Sequence, residues 1–129
     1  ALALPARIAF VPEDRHRDAL LLDGSLADNL ALRGAGVRRG LVGWRALRAR
    51  AADLAGAFDV RTGLPTGAVR ALAALPARAL SGGNQQKLVV ARELAGDASG
   101  ERPALVVAEN PTRGLDIGAT AAVHARLRE

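Results

Sequence analysis

Two short apolar runs in this chain have the pattern of β-strands. The first covers residues 7–11 and stops at Pro12, because proline has no N–H to continue a strand ladder. The second covers residues 104–108, Ala-Leu-Val-Val-Ala, and is apolar at every position, which is typical of a strand covered on both faces. We therefore predict two strands, the second of them buried. The charged residues 13–18 are predicted to form a turn.

Between and after these runs, the spacing of apolar residues predicts helices. They are expected after Ser25 as far as residues 34–36, and over residues 44–57, 66–75, 81–95 and 121–129. Ser25 and Ser81 have the position of N-caps, since a serine oxygen accepts from the N–H groups of a first helical turn. Pro76 ends the third helix and Gly96 ends the fourth. The last helix reads as one that is cut off in mid-run.

Composition excludes several classes of site. The 129 residues include no Cys, so neither a disulfide nor a thiolate metal site can form. No apolar run approaches the roughly 18 residues of a membrane span. Two Phe, one Trp and no Tyr leave little surface for base stacking, which argues against binding of single-stranded nucleic acid.

Positive charge is concentrated in one stretch of the chain. The formal net charge is +5, and residues 33–50 contain no acid but six arginines, Arg33, Arg38, Arg39, Arg45, Arg48 and Arg50. Such a patch suits nucleic acid, anionic lipid or an acidic partner. A solvated surface is the alternative interpretation.

The sequence Leu-Ser-Gly-Gly-Asn-Gln-Gln-Lys at residues 80–87 is the strongest candidate for chemistry. Ser81 and two glycines open the predicted helix, where unpaired N–H groups and the positive end of the helix dipole attract an anion. Glycine at 82 and 83 would let the backbone approach a phosphate closely, because no Cβ intervenes. An ordinary capped helix is the alternative. Lys87, one turn along, is interpreted as a surface charge.

Further along, residues 111–116 read Pro-Thr-Arg-Gly-Leu-Asp, just after the second strand. The ordered set of glycine turn, helix, strand and Pro-Thr-Arg-Gly-Leu-Asp resembles the ATP-binding cassette (ABC) family over essentially the whole chain. The resemblance implies an α/β fold, as part of a P-loop NTPase in which an α-helical subdomain predominates between flanking core strands. It assigns residues 1–24 to the Q-loop region, 25–96 to the helical subdomain with the signature motif, and 97–129 to the Walker B strand, the D-loop and a truncated helix.

The resemblance also assigns roles in binding ATP. The signature motif, which contacts the ATP held by the opposite cassette, would consist of Ser81, Gly82, Gly83, Asn84 and Gln85. Asp116 would be the D-loop residue that helps to shape the opposite site. A turn aspartate that bonds its own backbone fits the same pattern, and both roles are compatible.

The Walker B strand of the family ends in Asp-Glu before Pro-Thr, whereas this chain has Glu109-Asn110. Glu109 keeps a carboxylate, so the resemblance allows it a Mg²⁺ role. Asn110 stands at the position of the general base, where an amide cannot accept a proton. We therefore expect no hydrolysis at this domain's own site. A shifted register with Glu109 as the base is the alternative.

Glu13 stands at the Q-loop position, where most family members have a Gln that touches Mg²⁺ and relays the nucleotide state to the membrane domain. A solvated charged turn is the alternative for this residue. No phosphate loop of the form Gly-x-x-x-x-Gly-Lys-Ser/Thr occurs in the sequence. We expect that loop upstream of Ala1 and the switch histidine downstream of Glu129, so that the chain would be an inactive piece of a longer ATPase.

Residues 11–18, the Asn-Gln-Gln after the glycines and the altered Glu109-Asn110 resemble the second cassette of tandem importers of nucleosides and simple sugars. That resemblance implies ATP and Mg²⁺ as cofactors of the whole assembly. It implies as partners the other cassette of the same chain, transmembrane permease subunits and, indirectly, a solute-binding protein, but no nucleic acid. The location would be peripheral, on the cytoplasmic face of the plasma membrane.

Two other classes stay open. A soluble ABC-type ATPase that acts on nucleic acid would fit the positive charge. A small interaction domain without ATP chemistry is disfavoured by the turn at Ser81.

Overall fold

The computed structural model describes residues 7–36, 39–65, 67–96 and 102–128. In chain order the elements are β1 (Ile8–Val11), α1 (Arg15–Asp18), α2 (Leu26–Ala31), α3 (Trp44–Ala57), α4 (Val69–Ala74), α5 (Gly82–Leu94), β2 (Leu105–Ala108) and α6 (Ile117–Leu127), with a 3-10 turn at Ala77–Ala79. This mixed α/β class confirms the coarse prediction from the sequence. No helix within the four described ranges is long and apolar enough to cross a bilayer.

The two predicted strands pair with each other in parallel. Ile8 lies opposite Leu105 and Val11 lies opposite Ala108, so most of the described helices lie in the connection between two neighbouring strands. Val11 is fully buried, because α5 packs against β1. All four residues of β2 are exposed, so the prediction of a buried second strand is wrong. A uniformly apolar run shows that a strand could be buried on both faces, but not whether other elements pack against it.

The predicted caps set the helix starts. The Ser25 Oγ accepts from the N–H of Asp28 at 3.1 Å, and the Asp28 carboxylate accepts from the N–H of Ser25 at 2.9 Å, which is a complete capping box. Helix α3 has the predicted bounds. Helix α4 starts later than predicted, at Val69, because Gly67 just before it has a left-handed backbone (φ +85°). Helix α6 starts earlier than predicted, at Ile117.

The charged stretch 13–18, predicted as a turn, contains the short helix α1. The Asp14 carboxylate caps this helix by accepting from the N–H groups of His16 at 3.1 Å and Arg17 at 3.2 Å. The hydrogen bond from Arg17 is the main cause that lowers the pKa of Asp14 below its ordinary value. A charged sequence that looks like a solvated turn is therefore an ordered element here.

The core combines apolar residues from β1 and from α2, α3, α4, α5 and α6. Its largest fully buried apolar side chains are Val11, Leu26, Val89, Val90 and Val123. Asn29 is also fully buried: its Oδ1 accepts from the N–H of Leu21 at 2.9 Å, and its Nδ2 donates to the carbonyl of Leu21 at 2.9 Å. The Asn29 amide therefore fixes the loop before α2.

A buried charged cluster holds the C-terminal half of α5. The Glu93 carboxylate accepts from the Nε of Arg92 at 2.8 Å and pairs with Arg33, which follows α2. It also accepts from the N–H of Phe10 in β1 at 3.4 Å. These contacts tie α5 to β1 and to the end of α2, so the helix whose N-terminus forms the site below is anchored at its other end.

Candidate functional site

Helix α5 starts at the glycine turn that the sequence analysis singled out. The Ser81 Oγ accepts from the N–H of Asn84 at 3.4 Å and from its side-chain Nδ2 at 2.9 Å. Ser81 is thus the N-cap of α5, as predicted. Gly82 and Gly83 are the first two helical residues, whose N–H groups have no acceptor within a helix. The turn has the form of an anion site, and its role toward ATP stays a prediction.

The polar side chains after the glycines point into the protein. The Oδ1 of Asn84 accepts from the N–H of Arg61 at 2.9 Å. Gln85 is buried: its Nε2 donates to the carbonyl of Ala77 at 3.2 Å, and its Oε1 lies 2.7 Å from the Nε2 of His16. Asn84 and Gln85 therefore hold the turn in place against the 3-10 turn, the connector after α3 and helix α1.

The two glycines are tightly surrounded by the protein itself. A Cβ on Gly82 would lie 2.9 Å from the Nη2 of Arg15, and one on Gly83 would lie 3.1 Å from the Cβ of Ala119. The sequence argument for glycine was close approach to a phosphate. The structure adds a second reason, because a side chain at 82 would displace the Arg15 guanidinium and one at 83 would press on Ala119 of α6.

Asp116, which the family resemblance assigns to the D-loop, lies next to this turn, and its role toward the opposite site stays a prediction. It is the N-cap of α6 and accepts from the N–H of Ala119 at 2.8 Å, which confirms the local turn bond. An open cleft of about 320 Å³ separates the starts of α5 and α6; it is lined by Asp59, Arg61, Ser81, Gly83, Asn84, Lys87, Asp116, Gly118, Ala119 and Ala122. The cleft therefore brings the predicted signature and D-loop residues together.

Lys87 is not the surface charge that the sequence suggested. Its side chain is only 12 % exposed, and its Nζ donates to the backbone carbonyl of Asp59 at 2.8 Å and to its carboxylate at 3.0 Å. Asp59 has a left-handed backbone (φ +50°), and the hydrogen bond from Lys87 lowers the pKa of its carboxyl. Sequence reasoning missed this pair, which joins α5 to the connector after α3.

A second group of predicted site residues lies where β1 and β2 end. The Oε1 of Glu13 accepts from the Nη1 of Arg113 at 2.5 Å and from the Nδ2 of Asn110 at 3.3 Å. Asn110 has a left-handed backbone (φ +40°), a conformation that asparagine tolerates better than most residues. Glu109 is exposed. The structure therefore brings the Q-loop and general-base positions together.

The described residues at the strand ends do not form a set of carboxylates that could hold Mg²⁺ by themselves. Mg²⁺ is bound by oxygen ligands, but the Glu13 carboxylate already pairs with a guanidinium and with the amide nitrogen of Asn110. Within the described ranges, no group of three or more His, Cys, Asp or Glu could hold a metal ion. A Mg²⁺ role for Glu109 or Glu13 gains no support from this geometry.

The basic stretch 33–50 does not form one surface. Arg33 pairs with buried Glu93, and the Nη2 of Arg50 donates to the carbonyl of Ala95 at 2.9 Å and to that of Gly96 at 2.8 Å, at the C-terminus of α5. Arg38 lies outside the described residues. The exposed part of the predicted patch, within the described chain, consists of Arg39, Arg45 and Arg48.

No family model matches the chain, but curated proteins match over nearly its full length. A nucleoside import ATP-binding protein of Lactococcus lactis subsp. cremoris is 39% identical over 124 residues, which are 93% of this chain and 22% of the relative. A ribose import ATP-binding protein of Rhizobium meliloti is 37% identical over 129 residues, 98% of this chain and 23% of the relative.

A guanosine import ATP-binding protein of Bacillus subtilis is 36% identical over 126 residues, 95% of this chain and 22% of the relative. The chain therefore spans about a fifth of the length of these curated relatives.

Proposed function

We propose that this chain, which belongs to the family of ABC import ATP-binding proteins, supplies the signature turn that acts on ATP held by an opposite cassette. The observation that carries the proposal is the start of α5. Ser81 caps a helix of 13 residues, and Asp116 lines the same cleft of about 320 Å³ as Ser81 and Gly83. N–H groups and the helix dipole at this point favour a phosphate.

The domain's own site does not hydrolyse ATP in this proposal. Asn110 occupies the position of the general base, and its amide nitrogen is directed to Glu13 at 3.3 Å. An amide cannot take a proton from the attacking water. ATP is the nucleotide that the relatives' names give; Mg²⁺ in the assembly stays a prediction, and the residues of this chain are assigned no step that depends on it.

The whole protein would energise uptake of nucleosides or simple sugars, by analogy with its nucleoside, ribose and guanosine import relatives. Its proposed partners are a second cassette in the same chain, permease subunits and, indirectly, a solute-binding protein, and its place is the cytoplasmic face of the membrane. In this arrangement the helices 25–96 form the helical subdomain of a P-loop NTPase. The import relatives disfavour the alternative of a soluble ATPase that acts on nucleic acid.

The test is Gly83→Asp in the assembled importer. A carboxylate at the second residue of α5 repels the γ-phosphate, so ATP turnover should fall by about 10²-fold or more. Gly83→Ala adds the same Cβ near Ala119 without the charge, and it should lose far less. Gly43→Asp is the control, because it places a carboxylate at the start of α3 with no atom within 4 Å of the new Cβ. Turnover of Gly83→Asp equal to that of Gly83→Ala would refute the proposal.

A further inference from the structure

Residues 13–16 contact both of the candidate site regions described above. We call these four residues the bridging segment; they follow β1 and enter α1. On one side lies the loop after β2, with Asn110 and Arg113. On the other side lies the signature turn at the start of α5. The family resemblance assigns a role to Glu13 but none to Arg15 or His16.

The bridging segment holds the loop after β2 through two side chains. The Glu13 carboxylate accepts from the Nη1 of Arg113 at 2.5 Å and from the amide of Asn110 at 3.3 Å. The Nη1 of Arg15 lies 3.5 Å from the carbonyl of Arg113, at the long limit of a hydrogen bond. The loop is thus held at its side chains and, more weakly, at its backbone.

The same segment reaches the signature turn. A Cβ on Gly82 would lie 2.9 Å from the Nη2 of Arg15, so the guanidinium occupies the space that a side chain at this position would need. The Nε2 of His16 lies 2.7 Å from the Oε1 of Gln85, a buried residue one turn into α5. The Arg15 guanidinium therefore lies between Gly82 and the loop after β2.

Local structure limits the freedom of the bridging segment. The Asp14 carboxylate caps α1 through the N–H groups of His16 and Arg17, which fixes the backbone from which Arg15 and His16 extend. The Nε of Arg15 is buried and has no hydrogen-bond partner. A buried N–H that is left unpaired is unfavourable, so local hydrogen bonding of Arg15 alone does not account for its position.

Resting on the proposed function, we infer that Arg15 and His16 are positioning residues that couple the loop after β2 to the signature turn. A shift of that loop would be passed through the guanidinium of Arg15 to Gly82 and through His16 to Gln85. Gly82 is then required to make room for Arg15 as well as for a phosphate. Orientation of the signature turn toward the opposite ATP would depend on the state of the loop at this domain's own site.

The experiment measures kcat and KM for ATP in the assembled importer carrying Arg15→Ala, Gly82→Ala or both. Misplacing catalytic contacts by about 1 Å can cost up to about 10²-fold, so we expect Arg15→Ala to lower kcat by about tenfold or more with a smaller change in KM. Gly82→Ala should do the same, because its Cβ displaces Arg15. The double variant should lose less kcat than the product of the two single losses, because the clash between the new Cβ and Arg15 is then absent.

Arg17→Ala is the matched control, since Arg17 lies on the same helix with an 80% exposed side chain that pairs with Asp18. It should leave kcat unchanged. A second readout is amide hydrogen exchange of residues 112–114, which should speed up in Arg15→Ala and not in Arg17→Ala. Arg15→Gln replaces Arg15→Ala in both measurements if the alanine variant does not fold.

Two results would overturn the inference. One is a loss of kcat in the double variant that equals the product of the two single losses, which would mean that Gly82 acts independently of Arg15. The other is equal behaviour of the Arg15 and Arg17 variants. Failure of the proposed function would be seen in a different experiment, in which Gly83→Asp leaves ATP turnover intact.

Discussion

Replacement of Glu93 by alanine should strongly destabilise the fold around α5. Glu93 is 6% exposed and Arg92 is 7% exposed, so the change leaves the Arg92 guanidinium buried without its carboxylate. Arg33 also loses its ion pair with Glu93, but its Nη1 still donates to the carbonyl of Ile8 at 3.3 Å. Removing one member of a buried ion pair costs about 3–5 kcal/mol. Because Arg92 keeps a bond to the carbonyl of Ala19 at 2.6 Å, we expect the lower end, about 3 kcal/mol.

Urea unfolding of the 129-residue chain, followed by circular dichroism, measures this loss. With a slope of about 1–3 kcal/mol per molar urea, the midpoint should fall by about 1–3 M at unchanged slope. Asp18→Ala is the control, because the Arg17–Asp18 pair is exposed and surface pairs contribute little. A loss below about 1 kcal/mol for Glu93→Ala would refute the argument that the buried cluster anchors α5.

Three further predictions concern the Lys87–Asp59 pair, the buried Asn29 and two exposed arginines. The Lys87 hydrogen bond lowers the pKa of the Asp59 carboxyl below its ordinary value. The stabilisation by this bond is therefore complete above the ordinary pKa and is lost as pH falls through the lower folded pKa. The stability difference between the wild-type chain and Asp59→Asn should thus be constant above about pH 5 and shrink below about pH 4; a difference that is constant down to pH 2 would contradict it. Asn29→Ala should lower the free energy of unfolding in urea by about 2–5 kcal/mol, because it leaves the buried partners of the Asn29 amide without a hydrogen bond. A loss near zero would mean that water replaces the amide. Replacing exposed Arg39 and Arg48 with Gln should weaken assembly with the permease at low salt and less so at high salt, as measured by sedimentation. No change at low salt would mean that both arginines are ordinary solvated charges.

Features set by neighbours in sequence were predicted well. Ser25 and Ser81 are N-caps as expected, because a cap depends on a serine and the next three residues. Helix α3 has the predicted bounds, and both apolar runs form strands. The motif residues from Ser81 to Gln85 and Asp116 could be named from their order along the chain, although their roles stay predictions.

Features that depend on distant residues could not be predicted. Lys87 and Asp59 are 28 positions apart, and only the packing of α5 beside the connector brings them together. The position of the Arg15 guanidinium beside Gly82 depends in the same way on how α1 lies against α5. The exposure of β2 in this chain could not be predicted either, because its composition is that of a buried strand. Charge alone therefore assigned Lys87 to the surface, although its side chain is only 12 % exposed.

ATP turnover of the assembled importer with Ser81→Arg and with Asn110→Gly tests the central claim most directly. Glycine is chosen at 110 because the backbone there is left-handed (φ +40°) and glycine adopts that conformation without strain. We expect Ser81→Arg to abolish turnover, because a bulky cation fills the signature turn, and Asn110→Gly to leave turnover nearly unchanged. Normal turnover in Ser81→Arg, or a loss of about 10²-fold or more in Asn110→Gly, would contradict it.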